Sequence, residues 1–409
     1  KVAQKIGEVH TGYAGAVRMF VSEAARRDPR WGEPLVRLEA VCDVDPSAHD
    51  EVVEELQAAG VKVHDSFETL LEEPVEAVYL PLPIHLHRSF AEQALAAGKA
   101  VVCEKPAAGC IDDVDGMIAA RDAAGLPLLI GFQDLYDTAT LAIKRRLVEG
   151  VIGPIRRAAV TGCWPRPDSY YQRNDWAGAL RREGTWVLDS PANNALAHYV
   201  NLVMFLLGPE PLAAADPTRV EAELYRARRI ENFDTCAIRV TTGTDASLLA
   251  LLTHACARQT DARIVIDGED GRMVWTMHDG ASFESSAGET IDPIPPDEAK
   301  RVNIIRKLTS VVRGYEEPDI AGCPIDLARS HAVVISGASQ AAPVSDVPET
   351  EIEPTDKGVR AIPGIEDAIA HCADAHQTLH ESGRFDWTVP ASGIDVRGYK
   401  HFAGPAGEK

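Results

Sequence analysis

The sequence has no apolar run approaching the ~20 residues that a membrane-spanning helix needs, and its opening stretch lacks the charged-then-apolar pattern of a secretory signal. Positive charge is in short supply: 41 Lys and Arg stand against 62 Asp and Glu, a formal net charge of −21. A surface that acidic repels phosphate backbones and anionic lipids, so neither nucleic acid nor a membrane is expected as a partner. Paired cysteines are missing as well. The eight, at 42, 103, 110, 163, 236, 256, 323 and 372, are scattered without a C-x-x-C, which predicts buried thiols in a reducing cytoplasm. Internal repeats and low-complexity blocks are absent. What remains is an ordinary globular composition, 45 % hydrophobic and 25 % charged over 409 residues, enough for two or three domains.

The first 130 residues alternate between two periods. Leu38–Cys42, Val75–Leu80, Ala100–Cys103 and Pro127–Gly131 are short apolar runs that predict buried strands. Glu51–Ala59, Ser89–Ala97 and Val114–Ala124 predict helices, the first two stopped by Gly60 and Gly98. Apolar strands between such helices predict a parallel sheet covered on both faces. Beyond about residue 150 the pattern changes. Ile155–Cys163, Val220–Tyr225, Thr235–Thr241, Ser247–His254, Arg263–Asp267 and Met273–Thr276 read as strands. Short turns such as TTGTDA and DGEDG separate most of them and predict an antiparallel sheet. A long helix is expected over Asn194–Leu207, ended by Gly208-Pro209, and further helices over Ile325–Ser336 and Ile365–Ser382. Ala341–Lys357 reads as a surface linker, and the tail after the last helix as irregular.

His10–Gly15 reads HTGYAG, where a dinucleotide-binding domain carries G-x-G-x-x-G. Gly12 and Gly15 fit the glycines that admit the pyrophosphate and let helix and strand pack. His10 stands in place of the first, with Thr11 and Tyr13 in between. By itself this is a weak motif. Asp43 ends the second strand at the distance where a carboxylate holds both ribose hydroxyls and repels a 2′-phosphate, which favours NAD over NADP. Taken alone, it reads rather as a solvated strand-end carboxylate beginning the turn DVDPS.

A longer stretch is more specific. Residues 80–106 read LPLPIHLHRSFAEQALAAGKAVVCEKP. Pro83, His87, Ala94-Leu95, Gly98-Lys99 and Glu104-Lys105-Pro106 stand in one register, and in that register the chain resembles the Gfo/Idh/MocA oxidoreductases. Two positions depart from the family pattern: Ile84 replaces a usual asparagine, and Leu82 a common threonine. LVEGVIGPI (147–155) resembles the entry into the family's second domain. HYVNLVMFLLG (198–208) resembles its H-x-x-D helix, with Asn201 in place of the Asp. The resemblance covers residues 1–340, and residues 341–409 are not clearly matched.

The resemblance implies an α/β architecture: an N-terminal Rossmann doubly wound parallel sheet, then a C-terminal α/β domain with a large open, mainly antiparallel sheet. The expected divisions are 1–133 for the NAD(P)-binding domain, 134–345 for the substrate and oligomerisation domain, and 346–409 for a linker, helix and tail. It implies bound NAD, NADP being less favoured, held by His10, Thr11, Gly12, Tyr13, Gly15, Asp43, Pro81, Leu82, Pro83, His87, Glu104 and Lys105. Lys105, desolvated beside a cationic nicotinamide, would become neutral enough to accept a substrate hydroxyl proton as hydride leaves the same carbon. His198 matches the family's second site group. The residue four positions before it is Asn194, not the family's Asp; Asp189 is the nearest carboxylate and could enter from the loop. The implied activity is oxidation of a secondary hydroxyl, or reduction of a ketone, on a sugar, glycoside or cyclitol. Transient oxidation with elimination and a dinucleotide-sensing role are the alternatives.

The segment CWPRPDSYYQRNDWAGALRREGTW (163–186) mixes aromatic and planar polar groups suited to a polyhydroxylated ring. Tyr171, Arg173, Asn174 and Trp176 are its candidate substrate contacts, although a loop packed by its own aromatics has the same composition. Arg181-Arg182 reads as solvated surface. His85-x-His87 lacks a third ligand at metal spacing, so no metal is expected. In the family the free face of the large sheet commonly forms a dimer interface, so a homodimer or homotetramer is expected.

Overall fold

The computed structural model describes residues 2–5, 36–43, 45, 50–288 and 290–407. They form two compact units, and the first is discontinuous: residues 1–107, 114–137 and 298–326. Its six strands are β1 (Val2–Lys5), β2 (Leu38–Cys42), β3 (Lys62–His64), β4 (Ala77–Leu80), β5 (Ala100–Cys103) and β6 (Leu128–Ile130). All pair in parallel, in the order β3-β2-β1-β4-β5-β6. Every residue of β4 and β5 is buried, as a sheet covered on both faces requires. The strand order reverses between β1 and β4, the crevice where such sheets bind ligands at the carboxyl ends of their strands.

The helices of this unit stop where the chain supplies a left-handed residue. Asp50–Ala58 is followed by Gly60 at φ 78°, and His87–Ala96 by Gly98 at φ 76°. Helix Ile111–Ala124 starts three residues before the expected Val114. Beyond β6 the chain returns much later in sequence, and Ile130 donates its N–H to Cys323 O at 2.7 Å. Helix Lys300–Arg313 was not legible in the sequence. Its Asn303 holds Tyr136 O at 2.9 Å, and its Lys300 pairs with the buried Asp134 at 2.7 Å.

The second unit comprises 108–113, 138–297 and 327–409. Its strands are β7 (Ile155–Cys163), the two-residue ribbon β8 (Arg181–Arg182) and β9 (Thr185–Trp186), β10 (Pro217–Arg226), β11 (Thr235–Thr242), β12 (Ser247–Thr253), β13 (Thr260–Gly268), β14 (Gly271–Thr276), β15 (Gly280–Ser285), β16 (Thr290–Ile294), β17 (Val344–Asp346), the ribbon β18 (Glu353–Pro354) and β19 (Arg360–Ala361), and β20 (Ser392–Asp395). Ten of these make one sheet, ordered β16-β15-β14-β13-β7-β12-β11-β10-β17, with β20 also on β10. It is antiparallel except at β7–β12 and β10–β17.

Both faces of the centre of this sheet are covered. On one side a Cβ on Gly162 would lie 2.9 Å from Leu196, in the turn that opens helix Ala197–Leu206. That helix ends on Lys144, whose ammonium bonds Phe205 O (2.7 Å), Leu206 O and Gly208 O, while burial pulls its pKa down to about 7. On the other side Cys163, Ala237, Leu249 and Leu251 pack against Ile365, Ala368, Ile369 and Cys372, with Phe385 and Trp387 alongside. Double burial explains why SLLALLT is apolar without alternation. Strands β13–β15 do alternate. Ile264, Ile266, Met273, Trp275 and Phe283 are buried, while Arg263, Asp267, Arg272 and Glu284 stay partly or fully exposed.

Several expectations change here. The face expected to lie free is covered, over β7 and β10–β12, by the chain's own C-terminal segment, because those strands carry apolar residues on both sides. Ala341–Lys357 is not only a linker, since β17 within it extends the sheet, and the tail contributes β20. The last helix ends at Ala375, not Ser382, because His376 takes the left-handed conformation at φ 55°. The long helix begins at Ala197, not Asn194. Side-chain bonds from Asn193 to Val187 O (3.1 Å) and from Asn194 to Asp189 hold the preceding residues in turns instead.

Candidate active site

The E-K-P turn leaves the carboxyl end of β5, beside the loop that leaves β4. Glu104 Oε1 accepts from the Tyr79 hydroxyl on β4, and Oε2 accepts the Lys105 N–H at 3.1 Å. Burial, then the neighbouring Glu104 carboxylate, pushes the Tyr79 phenol well up, so it stays a donor. His87 is fully buried. Its Nδ1 lies 2.9 Å from Pro106 O and its Nε2 2.8 Å from Leu82 O. It therefore ties the proline loop to the residue after Lys105. Burial lowers its pKa against the pull of those two carbonyls. The Lys105–Pro106 peptide is cis, and Lys105 itself is half-buried. Pro81, Leu82 and Pro83 form the loop that His87 grips.

Asp43 follows β2 directly and is 2 % exposed. Its Oδ1 accepts the Asp45 N–H at 2.8 Å, which curls the chain just beyond the strand. His10, Thr11, Gly12, Tyr13 and Gly15 lie outside the described residues. Strand order, Asp43 after β2 and the tied turn after β5 together fit a dinucleotide across the switch point.

In the second unit the candidate groups are built from distant segments. Asp189 is 2 % exposed and follows Leu188, a buried residue held at φ 47°. A left-handed leucine costs about 1–3 kcal/mol and persists only where its surroundings impose it. Here they do. Asp189 Oδ2 accepts the Gly178 N–H at 2.6 Å and Oδ1 accepts Asn194 Nδ2 at 2.7 Å. Its own N–H reaches Ala179 O at 3.0 Å, and Asn232 Nδ2 donates to its carbonyl at 3.1 Å. Asp189 thus orients the Asn194 amide, which the expected four-residue helical spacing does not do. His198 sits in the first turn of its helix, half-buried. The next residue, Tyr199, is wedged between Trp164 and Trp275, with centroids at 5.9 and 5.6 Å, and donates to Met277 Sδ at 2.9 Å.

The aromatic segment divides in two. Arg173 stacks on Tyr170 at 3.7 Å and on Trp176 at 5.2 Å, so these side chains pack the loop itself. Tyr171 and Asn174 line a cleft of about 1060 Å³ in this unit. Arg181 is exposed, as expected, and stacks on Trp186 at 3.4 Å, whereas Arg182 lines that cleft and bonds Glu231 at 3.2 Å, so it is not the plain solvated surface expected. Tyr171 OH meets His254 Nδ1 at 3.0 Å. Burial, then Arg166, Arg228 and Arg173, drives the His254 pKa well below its usual value, leaving a neutral ring. His254, Asn232 and the basic run YRARR (225–229) escaped the sequence reading; the run at a strand end was the available signal.

Among the described residues no group of three or more His, Cys, Asp or Glu could hold a metal ion, and no helix is long and apolar enough to cross a membrane. All eight cysteines are buried and free.

Two family models match the chain. One, described as an oxidoreductase family with an NAD-binding Rossmann fold, covers residues 6–132, and the other, the Gfo/Idh/MocA C-terminal domain, covers 140–274. An inositol 2-dehydrogenase of Rhizobium meliloti is 23 % identical over 260 residues, 63 % of this chain and 73 % of the relative. A D-apiose dehydrogenase of Paraburkholderia graminis is 25 % identical over 303 residues, 69 % and 76 % of the two chains. The solved WlbA dehydrogenase from Bordetella pertussis, a complex with NADH and UDP-GlcNAcA, shares the fold with a TM-score of 0.64 at 22 % identity, covering 82 % of this chain and 94 % of its own. A 3-ketoreductase from Actinomadura kijaniata, solved with NADP and TDP-benzene, does so at 0.65 and 20 %, covering 85 % and 99 %. The parallel sheet with its switch point, the tied E-K-P turn and these matches place the chain in the Gfo/Idh/MocA family of NAD(P)-dependent oxidoreductases that act on sugar and cyclitol hydroxyl or keto groups.

Proposed function

We propose that the protein uses NAD to oxidise a secondary hydroxyl, or reduce the corresponding ketone, of a sugar, glycoside or cyclitol, with Lys105 and His198 as its acid–base groups. The observation that carries this reading is the E-K-P turn, where Glu104 and His87 anchor the backbone on both sides of Lys105 at the carboxyl end of β5. Bound nicotinamide supplies the acceptor or donor of hydride. The chain's own residues do the rest. The Lys105 amine takes the proton from the substrate hydroxyl, and returns it in the reverse direction. His198 is the second proton-handling group. Asn194, oriented by Asp189, holds a substrate hydroxyl in place. Asp43 supports NAD over NADP, because a buried carboxylate at the end of β2 repels a 2′-phosphate. Tyr171 and Asn174 contribute substrate contacts from the cleft they line.

The test is to denature the purified protein and identify released dinucleotide by mass spectrometry, then to screen sugars and cyclitols for NADH formation. NAD(H) release, or a rise in melting temperature with added NAD, together with turnover that Lys105→Met abolishes, is the expected result. No released dinucleotide and no thermal shift would overturn it.

A further inference from the structure

The cleft that Tyr171 and Asn174 line is lined also by Arg182, Arg226, Arg228, Arg229 and Arg360. On a chain of net charge −21, five guanidinium groups around one cavity are out of character. Four carboxylates line it as well, Asp168, Asp175, Glu231 and Glu349, and Asp346 pairs with Arg226 from outside that lining. Their side chains are all at least half exposed, from 50 % at Glu231 to 81 % at Asp175, so they are weak, replaceable partners.

Arg228 differs from the others. Its side chain is 4 % exposed, and of its five donors only Nε has a partner, Asp168 Oδ1 at 2.9 Å. Nη1 and Nη2 are buried with no hydrogen-bond partner. Its guanidinium lies over the Tyr171 ring at 4.8 Å, which holds the fork in one plane. A buried guanidinium edge with two unpaired nitrogens matches a pair of oxyanion oxygens in bidentate geometry. Arg229, exposed and without an ion-pair partner among the described residues, adds a further cation to the lining.

The wall of the cleft is hydrogen-bonded to the candidate catalytic stretch. Gly178 and Ala179 line it, and both bond Asp189, which orients Asn194. Gly178 sits at φ 72°, and a Cβ there would lie 2.9 Å from Ile230 and 3.1 Å from Tyr171, so the wall approaches as bare backbone.

We infer that the substrate of this enzyme carries an oxyanion, a carboxylate or a phosphoryl group, which Arg228 grips bidentately in this cleft while the hydroxyl to be oxidised is presented near Asn194. The inference rests on the oxidoreductase reading above for the word substrate, but the anion site stands on its own geometry.

Calorimetric titration of the full chain separates the two. The probes are D-glucuronate, D-glucose 6-phosphate and D-glucose, each with and without NAD. At least one acidic probe binds about tenfold or more tightly than glucose. Whichever acid binds better identifies a carboxylate or a phosphoryl site. Arg228→Lys, which keeps the charge but loses the fork, weakens the acid about tenfold and leaves glucose unchanged. Arg229→Glu, on the surface and harmless to folding, weakens the acid by like-charge repulsion and guards against a misfolded Arg228 variant. Equal binding of all three probes, or acid binding indifferent to both variants, overturns the inference even if NAD binds and neutral sugars are oxidised. Tight acid binding without any NAD binding overturns the oxidoreductase reading and leaves the anion site standing.

Discussion

The two stretches that carry the candidate acid–base groups are built in opposite ways. Around Lys105 every support is a near neighbour in a regular sheet: Tyr79 on the adjacent strand, Glu104 beside it, His87 one loop away. Around Asn194 and His198 the supports come from Gly178, Asn232 and His331, whose Nε2 meets Ala192 O at 2.9 Å, and the backbone is forced left-handed at Leu188. The first can be written as a short motif, because parallel strands set the spacing of whatever leaves their ends. The second depends on loops meeting from several parts of the chain, so no short run of sequence spells it out.

The comparison is broken most sharply at Lys105. Lys105→Met should lower kcat by about 10²–10⁴-fold with little change in the melting curve, since Glu104 and His87 anchor the backbone of the turn. A drop in melting temperature matching the loss of activity would make the lysine structural. The cage around Asp189 should answer the other way. Asp189→Ala strands the Gly178 N–H and the Asn194 amide and should cost about 2–4 kcal/mol by urea unfolding; a loss below about 0.5 kcal/mol would mean that the cage does not bear on folding.

His87 sharpens the same contrast within the first stretch. His87→Leu leaves Leu82 O and Pro106 O without their ring partner and should cost about 1–3 kcal/mol. Activity should fall further than stability, because the turn carrying Lys105 loosens; kinetics and unfolding measured on the same preparation would show it. A pH-dependent effect is expected from Asp234, which accepts the Ala227 N–H at 3.0–3.1 Å and pins the segment that carries Asn232. Burial raises its pKa from 3.8 to about 6. Between those values the folded chain holds a proton that the unfolded chain has released. Stability from this group therefore falls as pH rises from about 4 to 6. Melting temperatures across that range should show the decline, and Asp234→Asn should flatten it.

Much of the first unit was legible. Ala100–Cys103 was read to the residue, and the glycine stops at 60 and 98 held, because buried parallel strands and left-handed helix ends leave unambiguous residue types. Ile155–Cys163 was equally clear. The start of the long helix was misread because Asn193 and Asn194 have ordinary helical neighbours, and only their bonds to Val187 and Asp189 draw them out of the helix. Arg228 was missed because an arginine in YRARR looks solvated until Tyr171 and Asp168 are known to close over it.

The sequence alone determined the strand–helix alternation over residues 38–131, the parallel character of the first sheet, the E-K-P turn and the acidic balance, all of which follow from local residue type and spacing. Tertiary structure alone decided three things: that residues 362–387 cover one face of the large sheet, that Asp189 reaches Asn194, and that five arginines share one cleft. Each is a meeting of segments far apart in the chain. Such meetings are set by which apolar faces must be buried and which buried polar groups must be paired, and neither is determined until the whole chain has folded.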